Sequence, residues 1–186
     1  MKREVSGIVF LGMVIASADG LTADVHVHGA AELHVVIENS NVEIELHSPL
    51  ENLAGFEHQP RTAAERAKIA KMKANLNQPE KLFKFPALGN CGPGSVRIDS
   101  PIAEAAAAKS SASESRHDAN DDDGHSDLVA RYVFTCGRID KVDAIDVKLF
   151  EAFPGLKSVK AIVIGPNGQS AKTLTAGRRS LIIRGK

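Results

Sequence analysis

The chain has 186 residues with 23 Lys plus Arg against 23 Asp plus Glu, so it lacks the net basic surface that a nucleic-acid or polyanion partner needs. It has no Trp and one tyrosine, Tyr132, which leaves few platforms for stacking bases or sugars. No apolar stretch reaches the roughly 20 residues of a membrane-spanning helix.

Lys2 and Arg3 precede an apolar run from Val5 to Ala16, and the small-residue triplet Ala16-Ser17-Ala18 follows. That order is the n-region, h-region and cleavage site of a secretory signal peptide over residues 1–18. Removing it leaves a near-neutral chain long enough for one ordinary domain or two small packed ones. Just inside the new terminus stands His26-Val27-His28-Gly29. On an extended segment the two imidazoles project to one side about 7 Å apart, a spacing at which both can ligate one Zn²⁺ or Cu²⁺. Two solvated histidines in a frayed terminus are the alternative.

Leu33, Val35 and Ile37 alternate with polar residues, and so do Val42, Ile44 and Leu46 beyond the turn residues Asn39-Ser40-Asn41. The pattern predicts a β-hairpin with one buried face over Glu32 to His47. Glu32, His34, Glu43, Glu45 and His47 then point outward. If Val35 opposes Ile44, His34 opposes Glu45 and Glu32 opposes His47; a shifted register sets His34 against His47. Either register gathers His and carboxylate groups that could hold a metal or simply pair across the strands. Pro49 and Gly55 end the pairing, and Gly55-Phe56-Glu57-His58 follows on a loop. There Glu57 and His58 are candidate ligands, or Glu57 orients His58, or Phe56 anchors a purely structural loop.

Thr62-Ala63-Ala64-Glu65 is a capping box, and Ile69, Met72 and Leu76 continue at helical spacing. This predicts the main helix, with Arg66, Lys68, Lys71 and Lys73 on a solvated face. Pro79 stops it, and Glu80 to Phe83 makes one more turn. Residues 100–127 pass through an Ala-rich piece and serines to His117-Asp118-Ala119-Asn120-Asp121-Asp122-Asp123-Gly124-His125, a composition that predicts a flexible, disordered acidic insertion. His117 and His125 with the aspartates could bind metal weakly, but the spacing is not that of an EF-hand.

Beyond it, Leu128 to Thr135 reads as a strand, Ile145, Val147 and Leu149 as another, and Ser158 to Ile164 and Ser180 to Ile183 as two more. Gly165-Pro166-Asn167-Gly168 is a turn signal. The expected fold is α+β, predominantly antiparallel sheet with one main helix. Its parts are a hairpin and helix part at 19–99, the insertion at 100–127 and a C-terminal β part at 128–186. Cys91 and Cys136 form an even pair, which an oxidising compartment would join as a disulfide; two thiolates in a metal site are the rival. The sequence has no H-E-x-x-H, G-x-S-x-G, P-loop or G-x-G-x-x-G motif, so nothing points to an enzyme.

His26-Val27-His28-Gly29-Ala30-Ala31-Glu32-Leu33, Ser48-Pro49-Leu50, Asn52-Leu53-Ala54-Gly55-Phe56-Glu57-His58, Tyr132-Val133-Phe134-Thr135-Cys136 and Leu149-Phe150-Glu151-Ala152-Phe153-Pro154-Gly155 together resemble the ZrgA family of zinc-regulated periplasmic zinc-binding proteins. The resemblance implies a periplasmic protein that binds Zn²⁺ and assists its uptake beside a zinc importer, as a buffer or delivery partner. Members of that family typically carry a long His and acid-rich central tract, here reduced to His117, His125 and neighbouring aspartates, which shifts weight to His26 and His28. Two other function classes stay open: a metal-independent envelope scaffold that recruits a partner through a sheet edge, and a zinc hydrolase.

Overall fold

The computed structural model describes residues 28–102 and 126–184. The expected signal peptide, His26, His117, His125 and all but the ends of the acidic insertion lie outside those residues. Among the described residues the elements run β1 (Ala30–Glu38), β2 (Asn41–Pro49), α1 (Leu50–Ala54), α2 (Ala63–Leu76), α3 (Pro79–Leu82), β3 (Phe83–Lys84), β4 (Cys91–Asp99), β5 (Asp127–Cys136), β6 (Ala144–Val147), α4 (Leu149–Ala152), β7 (Ser158–Gly165), β8 (Gly168–Leu174) and β9 (Ser180–Ile182).

Six strands form one sheet in the order β4-β5-β2-β1-β7-β8, and β3-β6-β9 form a second. The β1/β2 hairpin forms as the alternation predicts, closed by Glu38 opposite Asn41 with Asn39 at φ 54, a conformation asparagine tolerates. The expected fold class needs correction in two respects. First, the large sheet is mixed, because β1 pairs in parallel with β7 while the remaining ladders are antiparallel. Sequence periodicity places a strand but carries no signal for which remote strand lies beside it. Second, four helices are bounded within the described residues, not one main helix. α1 starts directly on Pro49, where its first turn needs no proline N–H, and ends on Gly55 at φ +83.

The strand expected through Ile145, Val147 and Leu149 stops at Val147, and Leu149 opens α4 instead. Leu149 and Phe150 are both buried, which a helical turn allows and a half-buried strand does not. Strand β4 was not expected, because Gly92, Pro93 and Gly94 break its alternation. It survives at the sheet edge, where its register against β5 shifts between Pro93 and Val96 and the missing proline N–H costs no ladder bond.

One face of the large sheet is buried. Leu33 and Val35 of β1, Val42, Ile44 and Leu46 of β2, Leu128, Tyr132 and Phe134 of β5, and Val159 and Ala161 of β7 are all nearly inaccessible. The small sheet contributes Phe83, whose ring meets those of Tyr132 and Phe134 edge-on at 5.3 and 6.2 Å. From the helices come Ile69, Met72 and Leu76 of α2, and all these residues join one core cluster. Cys91 and Cys136 face each other across β4 and β5 and are joined as a disulfide. The opposite face of the large sheet is left to solvent, and the hairpin's histidines stand on it.

Candidate functional site

The hairpin register decides what stands on the open face. Val35 opposes Ile44, so His34 opposes Glu45 and Glu32 opposes His47. His34 and His47 are therefore diagonal neighbours, with ring centroids 5.4 Å apart. Nε2 of His47 contacts Oε1 of Glu45, whose other oxygen accepts from Nε of Arg131. The imidazole of His47 and then the guanidinium of Arg131 hold the Glu45 carboxyl below its usual range, against the opposing effect of partial burial. One donor atom each from His34, Glu45 and His47 lie within 4.8 Å of one another.

A second cluster lies at the start of β1. Its members are His28 before the strand, Glu51 in α1 and Glu57 in the loop after α1, again with donor atoms within 4.8 Å. Nδ1 of His28 pairs with a Glu51 carboxylate oxygen. The buried side chain of Asn52 fixes the backbone that carries His28: its Oδ1 accepts from Gly29 N at 2.6 Å and its Nδ2 donates to Ala30 O at 2.8 Å. Gly29 takes φ +82 here, and a Cβ on it would lie 2.9 Å from Lys157 Cγ. A Cβ on Gly155 would meet the Asn52 carbonyl oxygen at 2.4 Å, so that close approach also requires glycine.

The structure thus joins His34 with His47, and His28 with Glu57. It sends His58 elsewhere: the ring packs on Phe56 with centroids 5.1 Å apart, its Nδ1 donates to Gln59 O at 2.9 Å, and its Nε2 lies 3.9 Å from Glu65. Glu45 stands among the outward carboxylates that the hairpin pattern offers as partners for metal or for cross-strand pairing, whereas the pattern gives no sign of Glu51. Glu51 sits only six residues before Glu57, but Pro49 and Gly55 obscured the short helix that turns its carboxylate toward His28. Imidazole nitrogens with carboxylate oxygens are a donor set that zinc accepts in tetrahedral geometry. No candidate cluster includes Cys91 or Cys136, whose sulfurs are bonded to each other.

Among the described residues no helix is long and apolar enough to cross a membrane. The family model described as ZrgA family zinc uptake protein matches residues 25–183, a span that contains both clusters. No curated protein matches the chain.

Proposed function

The chain belongs to the ZrgA family of zinc uptake proteins, and from that premise we propose that it is a periplasmic accessory protein that captures or buffers Zn²⁺ for an importer, without a catalytic step. One observation carries this: His28 of the H-x-H-G element and Glu57 of the G-F-E-H element, remote in sequence, meet with Glu51 of α1 in one cluster. One imidazole and two carboxylates supply three ligands, and His26, two residues before His28, is a candidate for the fourth. Two carboxylates balance the charge of the divalent ion, and a neutral imidazole adds the nitrogen that distinguishes zinc from the oxygen-seeking Ca²⁺ and Mg²⁺. Cu²⁺ fits the same donors, so selectivity for zinc rests on geometry and availability.

Isothermal titration of the exported form with Zn²⁺ tests the proposal, with binding expected tighter than the micromolar range. His26→Ala with His28→Ala should weaken binding at this cluster more than tenfold, and Glu51→Gln with Glu57→Gln should do the same. No binding tighter than micromolar, together with metal-independent retention on an envelope protein, would overturn the proposal in favour of the scaffold reading.

A further inference from the structure

We propose that His34, Glu45 and His47 form a second zinc site, separate from the His28 cluster, and that Arg131 sets its affinity by holding the Glu45 carboxylate when no metal is bound. The two clusters are distinct: Glu32 is level with His47, and His28 lies four residues further back, on the order of 10 Å away along the chain.

His34 gives the first ground. Its Nε2 is buried and has no hydrogen-bond partner, its nearest carboxylate being Glu32 at 3.6 Å, beyond hydrogen-bonding range. Glu32 is drawn the other way by Lys160 Nζ, at 3.1 Å. A ring nitrogen left without a partner, on a residue grouped with a second imidazole and a carboxylate, is one that a metal ion would satisfy. Zinc with bonds of roughly 2.0–2.2 Å requires its ligand atoms about 3.3 Å apart. The three donors lie within 4.8 Å of one another, a gap of the size that side-chain rotation covers.

His47 gives the second. Its Nε2 lies in contact with Glu45 Oε1, so a nitrogen and an oxygen donor already converge, and a bound Zn²⁺ would replace any proton held between them. The three side chains are 42%, 31% and 40% exposed, so the cluster lies at the surface, where water would supply a fourth ligand. Three protein ligands with an open position suit a site that exchanges its ion, as a delivery protein must.

Arg131 completes the device. Its Nε donates to Glu45 Oε2 and its Nη1 to Asp99 Oδ2 at 2.6 Å, while Arg97 Nε donates to the same Asp99 carboxylate at 3.0 and 3.1 Å. Asp99 thus anchors the guanidinium beside the site. The guanidinium occupies one oxygen of the ligand carboxylate and places a fixed positive charge next to the incoming cation. Both effects lower zinc affinity, so the protein carries its own competitor.

The test is zinc titration of the full exported chain against a chromophoric indicator at neutral pH, with the absorption of bound Co²⁺ as a second readout. Expected results are loss of one equivalent in His34→Ala/His47→Ala, and about tenfold tighter binding of that same equivalent in Arg131→Gln. Arg131→Gln placed in the His34→Ala/His47→Ala background should change nothing. A gain of affinity cannot arise from damaged folding, which keeps the Arg131 arm decisive. Full stoichiometry in the double histidine variant, or unchanged or weaker binding in Arg131→Gln, would overturn the proposal. Glu51→Gln/Glu57→Gln removes only the other cluster, so the failure of either site is read independently of the other.

Discussion

Tyr132 fills the core against Phe83, and its hydroxyl is buried with no hydrogen-bond partner. Burial pushes its phenol well above the ordinary tyrosine range, so the group stays neutral and contributes only its desolvation cost. Tyr132→Phe removes the orphaned oxygen and keeps the ring; the expected gain is about 1 kcal/mol, read from the urea midpoint. Gly155 is the opposite case. Its added Cβ would strike a backbone oxygen of Asn52, which has no rotamer to move to. Gly155→Ala is expected to cost roughly 1–3 kcal/mol and, by shifting Asn52, to weaken zinc binding at His28 as well. Thermal unfolding and zinc titration of the one variant check both effects. Neither residue's role was legible in sequence, because a missing phenol partner and a crowded Cα are facts about neighbours that the chain order does not name.

The main helix shows how much a local signal can determine. Glu65 N donates to Thr62 Oγ1 at 3.1 Å, and Glu65 Oε2 accepts from Thr62 N at 2.9 Å and Arg61 N at 2.6 Å, the capping box that the sequence spells out. Those backbone donors, Thr62 first and then Arg61, lower the Glu65 pKa below its ordinary 4.5. A carboxylate whose folded pKa is depressed stabilises the fold above its unfolded value and loses that effect as pH falls through the folded value. The stability difference between wild type and Glu65→Gln should therefore be full above about pH 4.5 and close at lower pH, as measured by urea unfolding across that range. Strand β4 depends on a longer-range link. The disulfide joins it to β5 across a sequence separation of 45 and encloses residues 103–125 in the loop. Cys91→Ser with Cys136→Ser is expected to lower stability by roughly 3–4 kcal/mol, with hydrogen exchange rising first in β4. The cysteine pair was legible from the expected compartment, whereas β4 was not, since its Gly-Pro-Gly stretch is tolerable only on an edge.

The parallel contact of β1 with β7 joins the N-terminal hairpin to the C-terminal β part, pairing Ala30 with Ser158 and Val36 with Ile164. Both candidate clusters use β1 or the segment leading into it, so zinc bound at either should stabilise the whole sheet and not one loop. At a free zinc concentration a hundred times the dissociation constant, each site is expected to add about 2.7 kcal/mol of stability. A thermal-shift series with zinc and then with chelator checks this: the midpoint should rise and return, and the rise should be smaller in His34→Ala/His47→Ala. The sequence by itself determined what depends on near neighbours: the hairpin and its outward histidines, the cap of α2, the turn after β7 and the ZrgA resemblance. Only the tertiary structure decided that Val35 faces Ile44 and that β1 lies parallel to β7. It alone brought Glu51 to His28, turned His58 toward α2 and set Arg131 on Glu45. Strand period and capping are fixed by backbone geometry over a few residues, whereas a site's composition follows from packing between segments that the sequence keeps far apart.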